Sequence, residues 1–182
     1  LFRDESFDLI AALLPKENNV RALGSAIFAL GHLGDERAVP LIFNHVNHAD
    51  TDVRFAVAFA LGCFSNDPRS VEGLLKLAMD PCAKTRDWAV FGIAFADADS
   101  EEIRRMLLRS LDDEDEKVRE EAAVGLGKRR DERVIPKLLE MLDQPEVKMR
   151  VGEAASALLG LNADPPSWQA EDYRAAIASK FR

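Results

Sequence analysis

The chain has 182 residues, 47% of them hydrophobic, with only one Tyr and two Trp, and a formal charge of −8 from 24 basic and 32 acidic side chains. An acidic surface repels phosphates, which argues against non-specific nucleic-acid binding, and two cysteines, Cys63 and Cys82, are too few for a disulfide-framed secreted domain, so a reducing, cytoplasmic setting is expected. No apolar run reaches the ~18 residues that a bilayer span requires, so no membrane partner is expected.

The chain opens on Leu1 rather than Met, so a trimmed N-terminus is expected. Phe7, Ile10, Leu13 and Leu14 then recur at helical spacing and predict a short first helix over about 4–14, stopped by Pro15. Beyond it the sequence predicts helices in two alternating kinds. Those of the first kind are expected at 36–46, 68–79, 99–111 and 132–142, and those of the second kind at 18–33, 52–64, 82–95, 115–128 and 146–161. In 36–46 the apolar period is carried by Val39, Leu41, Ile42 and Val46, and in 52–64 by Val53, Val57, Ala60 and Leu61. Asp50, Asp52, Asp80, Asp113, Asp115 and Asp143 precede second-kind helices, where a carboxylate satisfies free N–H groups and suits the helix dipole. Pro40, Pro68, Pro136 and Pro145 fall in or just before first turns, where a missing N–H costs little. Pro165-Pro166 is a hard break, and the last helix, about 168–182, carries one apolar stripe of Tyr173, Ala176, Ile177 and Phe181.

These elements repeat. Ala29-Leu30-Gly31, Ala60-Leu61-Gly62, Phe91-Gly92-Ile93-Ala94, Gly125-Leu126-Gly127 and Leu158-Leu159-Gly160 recur at steps of 31, 32, 33 and 33 residues. Val53-Arg54, Thr85-Arg86 and Val118-Arg119 each stand at a fixed distance before the last small residue, and Gly34-Asp-Glu-Arg-Ala-Val-Pro40 returns as Asp131-Glu-Arg-Val-Ile-Pro136. A fixed period of this length means stacked two-helix units that bury their apolar faces against one another. The expected fold is all-α: a right-handed α-solenoid of about five repeats over 16–161, forming a single domain over 1–182. The first and last helices would cap the ends.

Asp115-Glu-Lys-Val-Arg119-Glu-Glu-Ala-Ala-Val-Gly125-Leu-Gly127, followed by Asp131-Glu-Arg-Val-Ile-Pro136-Lys-Leu138, resembles the short HEAT-like repeats named after the phycobilisome lyases. Residues 52–62 and 26–41 match nearly as well, while the third repeat departs, with Thr85 for valine and Ala94 for glycine. The resemblance implies an armadillo-type scaffold whose second helices, here 52–64, 82–95 and 115–128, line a concave face. It also implies a protein that holds other proteins. Arg54, Arg86 and Arg119 are expected to form a structural ladder with loop aspartates that sets the stacking register.

One departure from the family pattern bears on function. One, five and nine places after the repeat's arginine position, the outward stripe is usually charged. The fourth repeat conforms, with Glu120, Val124 and Lys128, and the fifth gives Glu153, Ala157 and Leu161. The first three give Gly24, Phe28 and His32; Phe55, Phe59 and Cys63; and Asp87, Phe91 and Phe95, with Trp88 beside them. Phe28, Phe59 and Phe91 are expected as a row of rings about 10 Å apart, the spacing of packed helices. Three readings stand: a partner groove, rings turned into the core, or a self-association face. The first makes Phe28, Phe55, Phe59, Trp88, Phe91 and Phe95 the contact residues, with Glu120, Glu121 and Lys128 setting one end. The partner would be a protein or peptide, and the chain a monomer or weak homo-oligomer.

Sites for chemistry are weakly supported. His32, His45 and His48 lack metal spacing, and none precedes Glu as in the HEAT-type iron hydroxylases. The run Asp112-Asp-Glu-Asp-Glu116 lacks the glycine and the spaced final Glu of a calcium loop and reads as a solvated helix edge. No catalytic residue, metal or cofactor is assigned. Two enzymatic alternatives follow from the resemblance: a bilin lyase subunit, whose flat tetrapyrrole aromatic walls would suit, and a HEAT-type DNA glycosylase. The second needs a basic track, whereas Asp87, Glu120, Glu121 and Glu153 stand on the expected face.

Overall fold

The computed structural model describes residues 2–144, 147–161 and 168–181. These are helical, with short turns and no strand among them. They fall into two compact units, Leu1–Ala98 and Asp99–Arg182. The first holds α1 (Phe2–Leu13), α2 (Val20–Leu33), α3 (Val39–Phe43), α4 (Thr51–Gly62), α5 (Pro68–Leu77) and α6 (Ala83–Phe95). The second holds α7 (Glu101–Ser110), α8 (Glu116–Lys128), α9 (Ile135–Met141), α10 (Met149–Leu159) and α11 (Ala170–Lys180).

In the first unit α2, α4 and α6 lie side by side, and α3 and α5 back them. Ile27, Leu30, Ile42, Val53, Val57, Leu61, Leu74 and Ile93 fill the space between the two layers. In the second unit α8 packs on α10, with α7 behind α8, and α11 closes on α10 through Tyr173 and Ile177, each 2% exposed. Ala176 is only half-buried, so the expected stripe of α11 is carried mainly by those two residues.

At Gly31 and Gly127 the recurrent small residue is a close-approach device. A Cβ on Gly31 would stand 2.9 Å from the Ala60 Cα, and one on Gly127 would run into the Ala154 carbonyl oxygen. Glycine is therefore required where neighbouring second-kind helices touch backbone to backbone. The shorter first-kind helices differ from expectation. Residues 36–46 divide into a 3-10 turn over Glu36–Ala38 and the five-residue α3, and 132–142 divides likewise, because Pro40 and Pro136 in the first α-helical turn remove N–H donors. Leu14–Lys16, containing Pro15, is also a 3-10 turn. Pro145 and Pro165-Pro166 lie outside the described residues.

Caps follow the polar residues. The side chains of Asn19, Asp50, Asp67, Ser100 and Asp115 accept from first-turn amides of α2, α4, α5, α7 and α8. Asp80 is spent differently. It accepts from the Cys82 amide at 2.9 Å and binds Arg54 Nε at 2.6 Å, which leaves Cys82 at the N-cap of α6.

Candidate functional site

The three arginines share one bonding pattern. Arg54 donates to the carbonyls of His48 and Ala49, Arg86 to those of Asp80 and Pro81, and Arg119 to those of Asp113 and Glu114. Each thus braces the loop six and five residues before it. Arg54 also reaches Asp80 in the next loop, with that carboxylate only 4% exposed. The guanidinium suits this task because its fork serves several oxygens at once.

Outward from that brace, the first unit presents rings. Phe28 meets Phe55 at 5.5 Å and Phe59 at 5.0 Å between centroids. Trp88 meets Phe59 at 4.9 Å, Phe55 at 6.4 Å and Phe91 at 5.5 Å, and Phe91 meets Phe95 at 4.7 Å. The His32 ring lies 5.0 Å from Phe59. The edge-on and tilted geometries are those aromatic quadrupoles favour. Phe28 and Phe59 are closer than the 10 Å step expected from helix spacing, because α2 and α4 approach backbone to backbone at Gly31 and the rings lean across the gap. From Phe59 the row reaches Phe91 through Trp88.

None of the six rings belongs to the buried core. Phe28, Phe55, Phe59, Trp88 and Phe91 are half-buried, and Phe95 is 42% exposed. Their inner edges rest on the helices, and the rest forms a continuous apolar face across α2, α4 and α6. At one end a depression of about 640 Å³ opens beside Phe28 and Phe55. The Lys84 ammonium stands over the Phe55 ring at 3.8 Å from its centroid. Periodicity did not predict this contact, since Lys84 lies outside the recurrent stripe.

The three charged residues assigned to one end of the groove are placed differently. Glu121 is 7% exposed, and its Oε1 meets Arg150 Nε at 2.9 Å, so it is not a surface contact. It follows Glu120 by one residue and turns toward α10, whereas Glu120 binds Lys148 at 3.1 Å. Lys128 meets Glu153 at 3.5 Å. Burial lowers the Lys128 ammonium below its ordinary pKa although Glu153 opposes the change. All three belong to the second unit and the six rings to the first.

Other polar candidates have local partners. The His48 Nδ1 accepts from the Asp50 amide at 3.1 Å. Asp113 and Asp115 accept from the amides of Asp115 and Lys117, and Glu116 pairs with Lys148. Among the described residues, no group of three or more His, Cys, Asp or Glu side chains is arranged to hold a metal ion, and no helix is long and apolar enough to cross a membrane. Cys63 and Cys82 are free thiols.

The period, the glycine contacts and the paired helices define a helical repeat protein, and the chain belongs to the HEAT-repeat family, whose model matches residues 8–94 and 71–159. The second match runs across the division between the two units. Protein YibA of Escherichia coli K12 is 38% identical over 108 residues, which are 59% of this chain and 38% of that protein. The matched stretch therefore spans little more than a third of that relative. The X-ray structure of Escherichia coli YibA superposes with a TM-score of 0.75 at 25% identity, over 99% of this chain and 69% of that one. Two further structures show the same fold at lower identity. The CpcE–CpcF complex of the phycocyanin lyase from Nostoc sp. PCC7120 gives a TM-score of 0.59 at 23% identity over 82% of this chain and 98% of that one. A designed armadillo repeat protein in complex with the peptide (KR)4 gives 0.60 at 15% over 94% and 86%.

Proposed function

We propose that the chain is a non-catalytic docking scaffold that receives a protein or peptide segment on the aromatic face of α2, α4 and α6. The observation that carries this reading is the unbroken contact row from Phe55 and Phe28 through Phe59, Trp88 and Phe91 to Phe95, none of it in the core. A contiguous apolar patch on a folded surface marks an interaction site, and rings held by their neighbours lose little freedom when a partner covers them. Aromatic residues also dominate binding hot spots. The likeness to a designed repeat protein that carries a peptide agrees with the reading at the level of fold.

The test is to select peptides from a displayed random library on the immobilised chain and titrate them against the doubly substituted Phe59→Ser/Phe91→Ser protein. Binding at least tenfold weaker, with the fold retained by circular dichroism, is expected; unchanged affinity for all selected peptides would overturn the reading.

A bilin lyase subunit is the second reading, favoured by a ring-lined face that suits a flat tetrapyrrole. An absorbance titration with free phycocyanobilin separates the two: saturable spectral change lost on Phe59→Ser supports it, and a flat titration removes it.

A further inference from the structure

Of the two glycines inside α2, packing demands Gly31 but not Gly24. A Cβ on Gly24 would meet only the Ala56 Cβ, at 4.0 Å, an ordinary contact. Nor does its backbone need glycine, since among the described glycines only Gly34 and Gly160 have positive φ. A glycine inside a helix destabilises it relative to alanine, so this one calls for another explanation. In the repeat register Gly24 stands where the next unit has Phe55. Its missing side chain helps leave open the depression of about 640 Å³, with Phe28 and Phe55 as apolar lining and Val20 as part of the wall.

The rim of that depression is positive in a chain whose formal charge is −8. Arg21 and Lys84 are exposed and stand on it with Asp52. Neither cation forms an ion pair among the described residues, and the Lys84 ammonium rests on the Phe55 ring instead, at 3.8 Å. We infer that the depression receives a large apolar side chain of a peptide segment that carries a carboxylate beside it. The proposal rests on the aromatic face being a docking surface and names the chemistry of what docks. The apolar side chain covers Phe28 and Phe55, while the carboxylate meets Arg21 and Lys84, which have no competing acid pair to break. A basic segment would instead bring its charges against both cations.

The experiment uses two short fluorescein-labelled peptides, one repeating Leu-Glu-Phe-Glu and the other Leu-Lys-Phe-Lys, followed by fluorescence anisotropy. The acidic peptide is expected to bind at least tenfold more tightly, and the preference to shrink as salt rises. Gly24→Leu fills the depression and should weaken that binding at least tenfold while the melting temperature stays level or rises. Arg21→Glu with Lys84→Glu should reverse the preference without altering the apolar lining, which keeps the test decisive even where Gly24→Leu disturbs α2. Equal affinity for the two peptides, binding unaffected by Gly24→Leu, or binding of neither peptide would overturn the proposal. So would concentration-dependent dimerisation that Gly24→Leu abolishes, since a second copy would then be the occupant. Loss of binding in Phe59→Ser/Phe91→Ser with Gly24→Leu unaffected would leave the aromatic face standing and remove only this depression. The converse pattern would remove the wider face and keep the depression.

Discussion

Helices α4 and α8 hold the same place in their repeats and treat their exposed sides in opposite ways. Both open on an arginine that braces the preceding loop through the same two carbonyl positions. Beyond that brace α4 presents Phe55 and Phe59 to other rings, whereas α8 presents Glu120 to Lys148 and Lys128 to Glu153. The scaffold is common to the two units, and the difference lies in what the outer positions still have to offer. The charges of α8 have partners within their own unit, and a newcomer would have to break those pairs. The rings of α4 are half-buried and retain apolar surface that no described residue covers. The proposed docking face therefore lies on the first unit, while Glu120, Glu121 and Lys128 of the second are engaged in ion pairs with Lys148, Arg150 and Glu153.

The common scaffold is where the largest effect is expected. Gly127→Val drives a side chain into the Ala154 carbonyl oxygen, a backbone atom that cannot rotate away, and should cost about 3 kcal/mol or more. Gly31→Val meets the Ala60 Cα at 2.9 Å and should cost a similar amount in the first unit. Urea unfolding followed by circular dichroism reads both. A small cost at either position would mean that close helix contact is not what the repeated glycine provides.

The second prediction separates the units by acid. Asp131 in the second unit and Asp35 in the first occupy the same motif, and each accepts from the arginine two residues on. Asp131 also binds Arg104 at 3.0 Å and its side chain is 4% exposed, against 20% for Asp35. Hydrogen bonding from Arg133, with Arg104 adding to it, lowers the Asp131 carboxyl to about 2. A carboxyl held low in the folded state stabilises fully above about pH 4, where the unfolded group is already ionised, and the contribution drains away as pH falls toward 2. Asp131→Asn should therefore remove about 2 kcal/mol at neutral pH and flatten the acid limb of the stability curve. Asp35→Asn should do less of both.

Much of this arrangement was legible in the sequence because two of the periodic positions, Gly31 and Gly127, admit no larger residue without a clash. Gly31 and Gly127 mark the helix contacts, and the Asp-Glu-Arg motif marks the turns. The second-kind helices appeared within a few residues of their expected ends. What the period could not show is side-chain direction within a helix turn. Glu120 and Glu121 are neighbours in sequence, yet one edge faces Lys148 and the other is closed under Arg150. The step from Phe28 to Phe59 is shorter than expected for a related reason: helix-axis distance does not include the lean of long side chains across a glycine contact. Lys84 was missed because it lies outside the recurrent stripe, and its contact with Phe55 depends on the direction its long side chain takes.

Substitution on the two faces gives an effect of middle size. Phe59→Ser removes a half-buried ring that touches Phe28, Trp88 and His32, and should cost about 1 kcal/mol of stability. Its effect on binding should be the larger one, tenfold or more. Lys128→Ala, in contrast, should leave peptide binding within twofold. Comparable losses of binding from both changes would erase the division between the two units.

The smallest effect is expected at Lys148. Its ammonium lies 2.5 Å from Glu116 and 3.1 Å from Glu120, and both carboxylates draw its pKa upward. The geometry looks strong, but the lysine side chain is 44% exposed and Glu116 57%. Water and salt screen such pairs, and holding long side chains still has an entropic cost. Lys148→Ala should therefore leave stability almost unchanged at low salt, and change it still less in strong salt. Buried Glu121 provides the internal contrast, because removing Arg150 leaves a carboxylate with little access to water. Arg150→Ala should accordingly cost several times more than Lys148→Ala and keep most of that cost in high salt. Equal salt sensitivity of the two variants, measured by thermal melts across a salt series, would show that the α8–α10 pairs act as one screened surface network rather than as a buried contact with an exposed neighbour.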